Sequence, residues 1–319
     1  MALPGWPHDE SPFHRGEQAV QEHVGARERM AQVGRRVVRT AMPDQHREFF
    51  ALLPFVVLGS VDRAGQPWAT LLAGADAGFA RSTDATHLRI DALPAGDDPL
   101  AELLQPAAQL GLLGIDLPTR RRNRANGRIV QRDDQGFVLH VEQSFGNCPK
   151  YIQRREALAR AVSIEAGAAQ RATRLNATSA ALARHADTFF IATHAALEGP
   201  SAGSDVSHRG GLPGFVQVGD DGRTLTWPDF IGNSFYNTLG NIAVEPRAGL
   251  VFPDFETGGL LHVAGRAEIV WDGPEVDAIA GAERLVRMHV SEVRYRPAAL
   301  PLRWRLAEIS PALEGTGVW

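Results

Sequence analysis

Cysteine and long apolar runs are scarce in this sequence. Cys148 is the only cysteine among 319 residues, so an intramolecular disulfide and a cysteine-based metal site are both excluded. No apolar run approaches the ~18 residues that a membrane-spanning helix needs. The N-terminal residues also lack the basic and apolar regions of a signal peptide. We therefore expect a cytoplasmic protein without a membrane partner.

An excess of charge of one sign is also missing. The 33 Lys and Arg against 37 Asp and Glu leave a net charge of -4, which offers no general attraction to nucleic acid. No Ser/His/Asp triad, carboxylate pair or metal-binding cluster stands out, so catalytic residues stay unassigned and no metal is expected. What is abundant is 32 Gly and 20 Pro, which indicates many tight turns.

The sequence repeats itself at an offset of 138 residues. Six residues of the segment that starts at Gly111 recur in the segment that starts at Gly249. Both copies have the alternation and turn signals of strands, with a helix-like stretch between two of the strands. We predict a mainly β protein, barrel-like with flanking helices, in which two copies of one unit are related by a pseudo-twofold axis. A ligand groove is expected between them.

Strand-like and helix-like segments divide the chain into four parts. Residues 1–47 form an arm and a helix, residues 48–150 the first β unit, residues 151–186 an Ala/Arg-rich helical bridge, and residues 187–319 the second β unit. Residues 274–293 of the second unit have a helical composition. The arm is long enough to wrap a second subunit, which predicts a homodimer.

Three segments of the second unit carry a resemblance to a known family. They are "SHRGGLPGFVQV" from Ser207, "RTLTWPDFIGNSFYNTLGNIAVEPRAGLVF" from Arg223 and "GGLLHVAGRAEIVWD" from Gly258. This string resembles the FMN-binding split barrel of the pyridoxamine 5′-phosphate oxidase superfamily, and the similarity extends over residues 48–275. The resemblance implies tandem split barrels, an FMN cofactor and an oxidoreductase that acts on a small molecule. It also implies an electron-donor reductase as a partner.

The resemblance also implies which residues hold the cofactor. In the family, an arginine on a strand and a polar loop that opens a helix hold the FMN phosphate. Asn233 and Ser234 are expected to cap that helix, over 234–243. The loop lacks the cations of true pyridoxamine phosphate oxidases, so vitamin B6 oxidation is not implied. The cofactor-binding candidates are His208, Arg209, Gly210, Gly211, Trp227, Asn233, Ser234, Asn237 and Arg266.

A run of arginines, "RRRNRANGR", begins at Arg120. It is either a solvated hairpin loop, a patch for an anionic substrate or cofactor phosphate, or a nucleic-acid contact, and the weak overall charge disfavours the last. An anion patch could reach over a cofactor held by the other copy. Its candidates are Arg121, Arg122, Arg124, Asn126 and Lys150. Cys148, next to Pro149 at an expected helix start, is either a buried residue or a reactive thiol.

Two other functions stay open at this point. Relatives of the fold bind heme or a deazaflavin, so the chain is alternatively a carrier, a sensor or a heme-handling protein. His208 and His262 are the candidate heme ligands. A third interpretation is an interaction protein without a ligand.

Overall fold

The first unit is an antiparallel sheet. The computed structural model describes residues 4–158 and 167–319. The strands of the first unit are β1 (Phe55–Val61), β2 (Pro67–Ala73), β3 (Ala80–Ser82), β4 (His87–Ile90), β5 (Gln109–Asp116), β6 (Arg121–Arg132) and β7 (Phe137–Gly146). They are ordered β2-β1-β5-β6-β7-β4-β3.

The second unit repeats this arrangement strand by strand. Its strands are β10 (Thr188–Ala195), β11 (Gly203–Gly210), β12 (Gln217–Val218), β13 (Thr224–Phe230), β14 (Arg247–Pro253), β15 (Leu260–Val270) and β16 (Ala282–Arg296), preceded by β8 (Arg154–Ala157) and β9 (Gln170–Ala172). The order β11-β10-β14-β15-β16-β13-β12 is that of the first unit with each label raised by nine. The fold is therefore mainly β and built of two split-barrel copies, as predicted.

The two units face each other across a pseudo-twofold axis, and two repeated glycines make this possible. A Cβ atom on Gly111 of β5 would lie 2.8 Å from the Cα atom of Asp205 on β11. A Cβ atom on Gly249 of β14 would lie 2.2 Å from the carbonyl oxygen of Pro67 on β2. The contacts are reciprocal, because each central strand packs backbone to backbone on the edge strand of the other unit.

A second pair of repeated glycines forms equivalent β-bulges. The pairing register shifts at Gly127 of β6 and at Gly265 of β15. A side chain at either position would collide with the backbone, 1.9 Å from the carbonyl oxygen of His140 or 2.1 Å from that of His289. Residues 260–270 are consequently one bulged strand.

The core consists of one apolar cluster in each unit and one between them. Trp68 is buried in the first unit and Trp227 in the second. Phe55 and Phe190 lie in the shared cluster.

The helices surround this core. They are α1 (Arg15–His23), α2 (Arg27–Val37), α3 (Asp44–Leu52), α4 (Ala177–His185), α5 (Asn237–Val244) and α6 (Pro274–Asp277). The single helix expected near 16–38 is two, separated at Gly25, whose φ is 68°. No helix of the described ranges is long and apolar enough to cross a membrane.

The N-terminal arm packs on its own chain. Phe13 contacts Phe235 edge to face with ring centroids 5.1 Å apart, and both lie in a buried cluster with Trp6 and Phe145. Helix α1 crosses α5 where Gly16 meets Gly240. The arm therefore packs within the chain, and the predicted homodimer stays a prediction.

Three helical predictions are wrong. Between the units only α4 is helical, while β8 pairs with β17 (Trp304–Glu308) and β9 pairs with β16; residues 159–166 lie outside the described residues. Helix α6 is short, and most of 274–293 is the long strand β16. In the first unit, turns replace the helix expected between β4 and β5. Local helix propensity was overridden by pairing, since β16 lies between β13 and β15.

Candidate functional site

A polar cleft lies where both units meet. Its floor and walls are β6 and the segment after β7 from the first unit, with β11, the end of β13 and the start of α5 from the second. Including its mouth, the cleft has an empty volume of about 820 Å³. Nine candidates from both predicted groups line it: His208, Arg209, Gly210, Asn233, Ser234 and Asn237, together with Arg122, Arg124 and Lys150.

Three candidates lie in the second unit but outside this cleft. Trp227 is fully buried in the core, with its ring 5.3 Å from that of Phe189. Gly211 packs against Phe215, whose ring would lie 2.3 Å from a Cβ atom added at this position. Arg266 is exposed on β15 and pairs across the sheet with Arg247. Strand pairing and burial thus place these three away from any ligand in the cleft.

Two candidates from the arginine-rich run also lie outside. Arg121 is exposed, and its guanidinium lies over the Phe49 ring at 4.9 Å. Asn126 is buried and donates to Asp205 at 3.1 Å. The run itself forms strand β6, so the interpretation as a hairpin loop is wrong. Alternation along the strand sends Arg122 and Arg124 into the cleft and Arg121 out of it.

The cleft contains cations that no carboxylate neutralises within the described part of the chain. Arg122 donates from Nε to the Cys148 carbonyl at 2.6 Å and has no ion pair there. Burial, and then the neighbouring Arg124 and Arg209, lower the pKa of Arg122 to about 9. Lys150 likewise has no ion pair in residues 4–158 and 167–319. Such a concentration of positive charge favours an anionic ligand.

Arg209 is only weakly neutralised. Its Nη2 lies 3.8 Å from Asp229, whereas Arg284 approaches the same carboxylate at 2.8 Å. Arg209 otherwise donates to the His208 carbonyl at 3.1 Å. Because Asp229 is already paired, most of the charge of Arg209 remains available to a ligand.

Arg124 has a different role, because it is paired. It makes an ion pair with Asp205 at 3.0 Å and donates to Asn237 Oδ1 at 2.9 Å. Its other terminal nitrogen donates to Ser207 Oγ at 2.6 Å and to the Val206 carbonyl at 3.1 Å. Arg124 therefore joins the two units beneath the cleft and orients Asn237.

Several buried polar atoms of the cleft have no hydrogen-bond partner among the described residues. Leaving such an atom unpaired costs about 1–3 kcal/mol, so a polar ligand that satisfies several of them is strongly favoured. The atoms are Arg124 Nε, Asn147 Oδ1, His208 Nε2, Arg209 Nε and Thr238 Oγ1.

The loop before α5 differs from the expected helix cap. Ser234 and Tyr236 have left-handed backbones, with φ of 62° and 61°. Asn233 accepts from the Phe235 backbone N–H at 3.1 Å, which closes a turn, and the helix begins only at Asn237. The predicted capping by Asn233 and Ser234 is thus wrong, although the helix start does face the cleft through Asn237 and Thr238.

The segment after β7 forms the opposite wall. It contains no helix; Tyr151 has a φ of 65°, and a strand follows. The Tyr151 hydroxyl donates to the Ile231 carbonyl at 2.9 Å, which ties this wall to the loop before α5. Cys148 is half-buried in the cleft. Gly210 is required here, since a Cβ atom on it would lie 2.0 Å from the Tyr151 carbonyl oxygen.

At the pseudo-symmetric position in the first unit, the described residues form an internal ion pair. Strand register makes Thr70 of β2 the equivalent of Ser207 of β11. Thr70 donates to Asp98 at 2.6 Å, and Arg296 donates to the same carboxylate at 2.7 Å and to Asp97 at 2.8 Å. Both Asp98 and Arg296 are buried. An internal ion pair therefore occupies the place where the second unit presents unpaired cations.

The two candidate histidines differ in their position relative to the cleft. His262 is fully buried outside the cleft, with Nδ1 donating to the Ala69 carbonyl at 2.9 Å. His208 lines the cleft, and its pKa lies well below the usual value because it is buried and close to Arg122 and Arg209. Only His208 is placed to contact a ligand there. No group of three His, Cys, Asp or Glu in the described residues could hold a metal ion.

Comparison with known proteins identifies the second unit. Residues 175–309 match the family model described as pyridoxamine 5′-phosphate oxidase. The second unit belongs to the pyridoxamine 5′-phosphate oxidase family. This oxidase-family unit contributes β11, β13 and α5 to the cleft, while the arginines of β6 come from outside the matched range. No curated protein sequence matches the chain.

Three similar solved structures each cover less than half of this chain. HupZ of Group A Streptococcus is 14% identical and covers 43% of this chain and 98% of its own, with a TM-score of 0.31. A candidate pyridoxamine 5′-phosphate oxidase of Lactobacillus delbrueckii is 18% identical and covers 38% and 93%, with a TM-score of 0.30. A FAD-binding protein of Mesorhizobium loti is 13% identical and covers 40% and 97%, with a TM-score of 0.26. These TM-scores are too low to support a fold assignment. The assignment depends on the strand order of the two sheets.

Proposed function

We propose that the cleft binds flavin mononucleotide and that the protein is an FMN-dependent oxidoreductase acting on a small molecule. The observation that carries this proposal is the set of cations around one cleft of an oxidase-family fold: Arg122 and Lys150, which have no ion pair among the described residues, and Arg209, which is only weakly paired. A phosphomonoester is dianionic near neutral pH and binds best to charge-assisted donors in a partly buried site.

The chain's own groups fit a phosphate. Arg209 and Arg122 would hold it, with the Thr238 hydroxyl and the N-terminal turn of α5 as neutral donors. The orphaned Nε of Arg209 and Oγ1 of Thr238 would then gain partners. The uncharged loop "GNSFYN" needs no cation of its own, because β6 of the first unit supplies one.

The remaining parts of the cleft fit a flat, mostly neutral ring system. Pro228 and Phe230 provide apolar wall on β13. When bound, the flavin supplies hydride or electron transfer, and the protein supplies binding, orientation and exclusion of water. An electron-donor reductase, a cytoplasmic location and a homodimer are further parts of the proposal. The arm does not support the dimer, since it packs on its own chain.

A second candidate, heme or deazaflavin binding by a non-catalytic protein, is favoured by one observation. His208 Nε2 is buried in the cleft without a hydrogen-bond partner among the described residues. Its lowered pKa keeps the imidazole neutral, which is the form that ligates a metal. This histidine would hold the iron in a heme protein.

The two candidates are separated by the protein as purified and after reconstitution. An FMN protein shows the visible bands of a flavin, and mass analysis of the released cofactor distinguishes FMN from FAD. A heme protein shows a Soret band that His208→Ala abolishes and His262→Ala leaves unchanged. If neither FMN nor heme binds, the cleft does not have the proposed function. Sedimentation of the full chain tests the homodimer.

A further inference from the structure

Beneath the cleft, the N-terminal helix contributes a buried carboxyl group that the cofactor site does not use directly. Helices α1 and α5 approach so closely that a Cβ atom on Gly16 would lie 2.1 Å from the Gly240 carbonyl oxygen. This seam brings Glu17 of α1 next to Asn237 of α5, which lines the cleft. Glu17 is 3% exposed.

Glu17 is connected to the cleft by hydrogen bonds. Asn237 donates from Nδ2 to Glu17 Oε1 and accepts from Arg124 at Oδ1. The other oxygen of Glu17 accepts from the His14 backbone N–H at 2.8 Å. A change in the charge of Glu17 therefore reaches the wall of the cleft through the side chain of Asn237.

The charges around Glu17 do not balance when it is ionised. The charged or titratable groups that face it are His14 on its own helix, Asp205 on β11 and Arg124 on β6; α5 presents only amides. Burial lowers the pKa of His14, which keeps it neutral near pH 7. Ionised Glu17 and Asp205 would then share one guanidinium, leaving a net negative charge beneath an anion site.

We propose that Glu17 couples anion binding in the cleft to the uptake of one proton. The neutral carboxyl leaves the Arg124–Asp205 pair balanced, so that an incoming anion meets only the positive charge of Arg122, Arg209 and Lys150. The ionised carboxylate opposes the anion. Glu17 is thus a positioning residue that acts through Asn237 and touches no ligand. This inference rests on the proposed function, because it assumes a phosphate in the cleft.

Burial supports this coupling, because it moves the pKa of Glu17 to a pH at which both protonation states can be studied. It raises the pKa of Glu17 to about 8, assisted by Asp205 and opposed by the hydrogen bonds from His14 and Asn237. Below pH 8 the carboxyl is already neutral and binding needs no proton. Above that pH, each bound anion takes up a proton, and affinity falls by up to about tenfold per pH unit.

The experiment measures the Kd of FMN at about pH 7 and about pH 9, with riboflavin as the probe that lacks phosphate. The ratio of the two Kd values within each variant is the readout. We expect a ratio of at least about ten for the wild type and a several-fold smaller ratio for Glu17→Gln. Glu22→Gln, an exposed change on the same helix, keeps the wild-type ratio. Titration of Arg122 near pH 9 would also affect the Kd of Glu17→Gln. The variant therefore separates this effect from the titration of Glu17.

Calorimetry on the wild type provides a measurement that does not need the variant to fold. At a pH above 8, FMN binding in buffers of different ionisation enthalpy should report uptake of nearly one proton. Equal heats in all buffers, or the same pH dependence in Glu17→Gln as in the wild type, overturn the coupling and leave the cofactor proposal intact. Failure of FMN to bind at pH 7 overturns both.

Discussion

Arg124 and His262 occupy equivalent positions in the two units and make equivalent hydrogen bonds. Arg124 Nη2 donates to the Val206 carbonyl at 3.1 Å, and His262 Nδ1 donates to the Ala69 carbonyl at 2.9 Å. Val206 pairs with Ala192, and Ala69 pairs with Gly59. Because Ala192 and Gly59 are equivalent residues of the two units, Val206 and Ala69 correspond. The same backbone site is thus filled once by a guanidinium next to a cleft and once by a neutral ring in the core.

This asymmetry predicts one cofactor per chain. In the first unit Leu71 and Leu72 stand where the second unit has His208 and Arg209, and the ion pair of Asp98 with Arg296 fills the remaining space. Titration of the chain with FMN, followed by flavin fluorescence, should saturate at one equivalent. Saturation at two equivalents would show that the first unit also binds.

Removing Arg122 or the weakly paired Arg209 should weaken FMN binding. Each charge-assisted hydrogen bond to a phosphate contributes about 1.5–3 kcal/mol, so Arg209→Ala and Arg122→Ala should each raise the Kd by roughly tenfold to a hundredfold. Arg121→Ala is the matched control, because this neighbour of Arg122 is exposed outside the cleft. Riboflavin binding should change much less. Equal effects of the Arg121 and Arg122 changes would place the phosphate elsewhere.

Breaking the buried ion pair of the first unit should destabilise the protein. Arg296→Ala leaves the carboxylate of Asp98 buried without its cation, which costs about 3–5 kcal/mol. Arg305→Ala removes an exposed ion pair with Glu156 and should cost at most about 1 kcal/mol. Urea unfolding of both variants compares the two free energies. A loss below that of the control would show that Asp98 is solvated in solution.

The repeated glycines at the unit interface should not tolerate a methyl group. Gly111→Ala and Gly249→Ala push a Cβ atom against backbone of the opposite unit, and overpacking of this kind costs about 1–3 kcal/mol or more. Gly96→Ala is the control, since a Cβ atom there would meet nothing within 4 Å. Thermal unfolding should separate the three variants. Wild-type stability for Gly249→Ala would contradict the close approach of β14 and β2.

The raised pKa of Glu17 predicts how stability depends on pH. The pKa is about 8 in the folded protein against 4.5 ordinarily, so between these values the folded state holds a proton that the unfolded state has released. The stabilisation from this group is complete below 4.5 and is lost as the pH rises to 8. Glu17→Gln should flatten the fall in Tm over this range. A fall as steep as that of the wild type would assign it to other groups.

Much of the fold was accessible from local patterns. The repeated Gly111 and Gly249, and the strands around them, follow from alternation and turn chemistry, which operate over a few residues. Where local propensity and pairing disagreed, propensity was the poorer guide: residues 282–296 have the composition of a helix but form a strand between two others. The prediction of a helical bridge was wrong for the same reason, because β8 and β9 pair with distant strands.

The candidate site was accessible only in part. The resemblance supplied Arg209 and Asn237, and the arginine run supplied Arg122 within a patch that could reach over a cofactor in the other copy. The patterns did not separate Arg122, which lines the cleft, from Arg121, which does not. Trp227 was misplaced because a tryptophan at a strand end can face a ligand or the core. Glu17 was missed, since its only local signal is the capping box that it forms with His14.

The sequence by itself determined the duplicated β unit, because strand period, glycine positions and turns are short-range properties that occur twice in the chain. Only the tertiary structure decided which copy keeps a cleft. That outcome depends on whether the cations near each pseudo-symmetric position meet a carboxylate. Arg296 meets Asp98 from nearly two hundred residues away, whereas Arg122 meets none among the described residues, and no local pattern encodes such a distance.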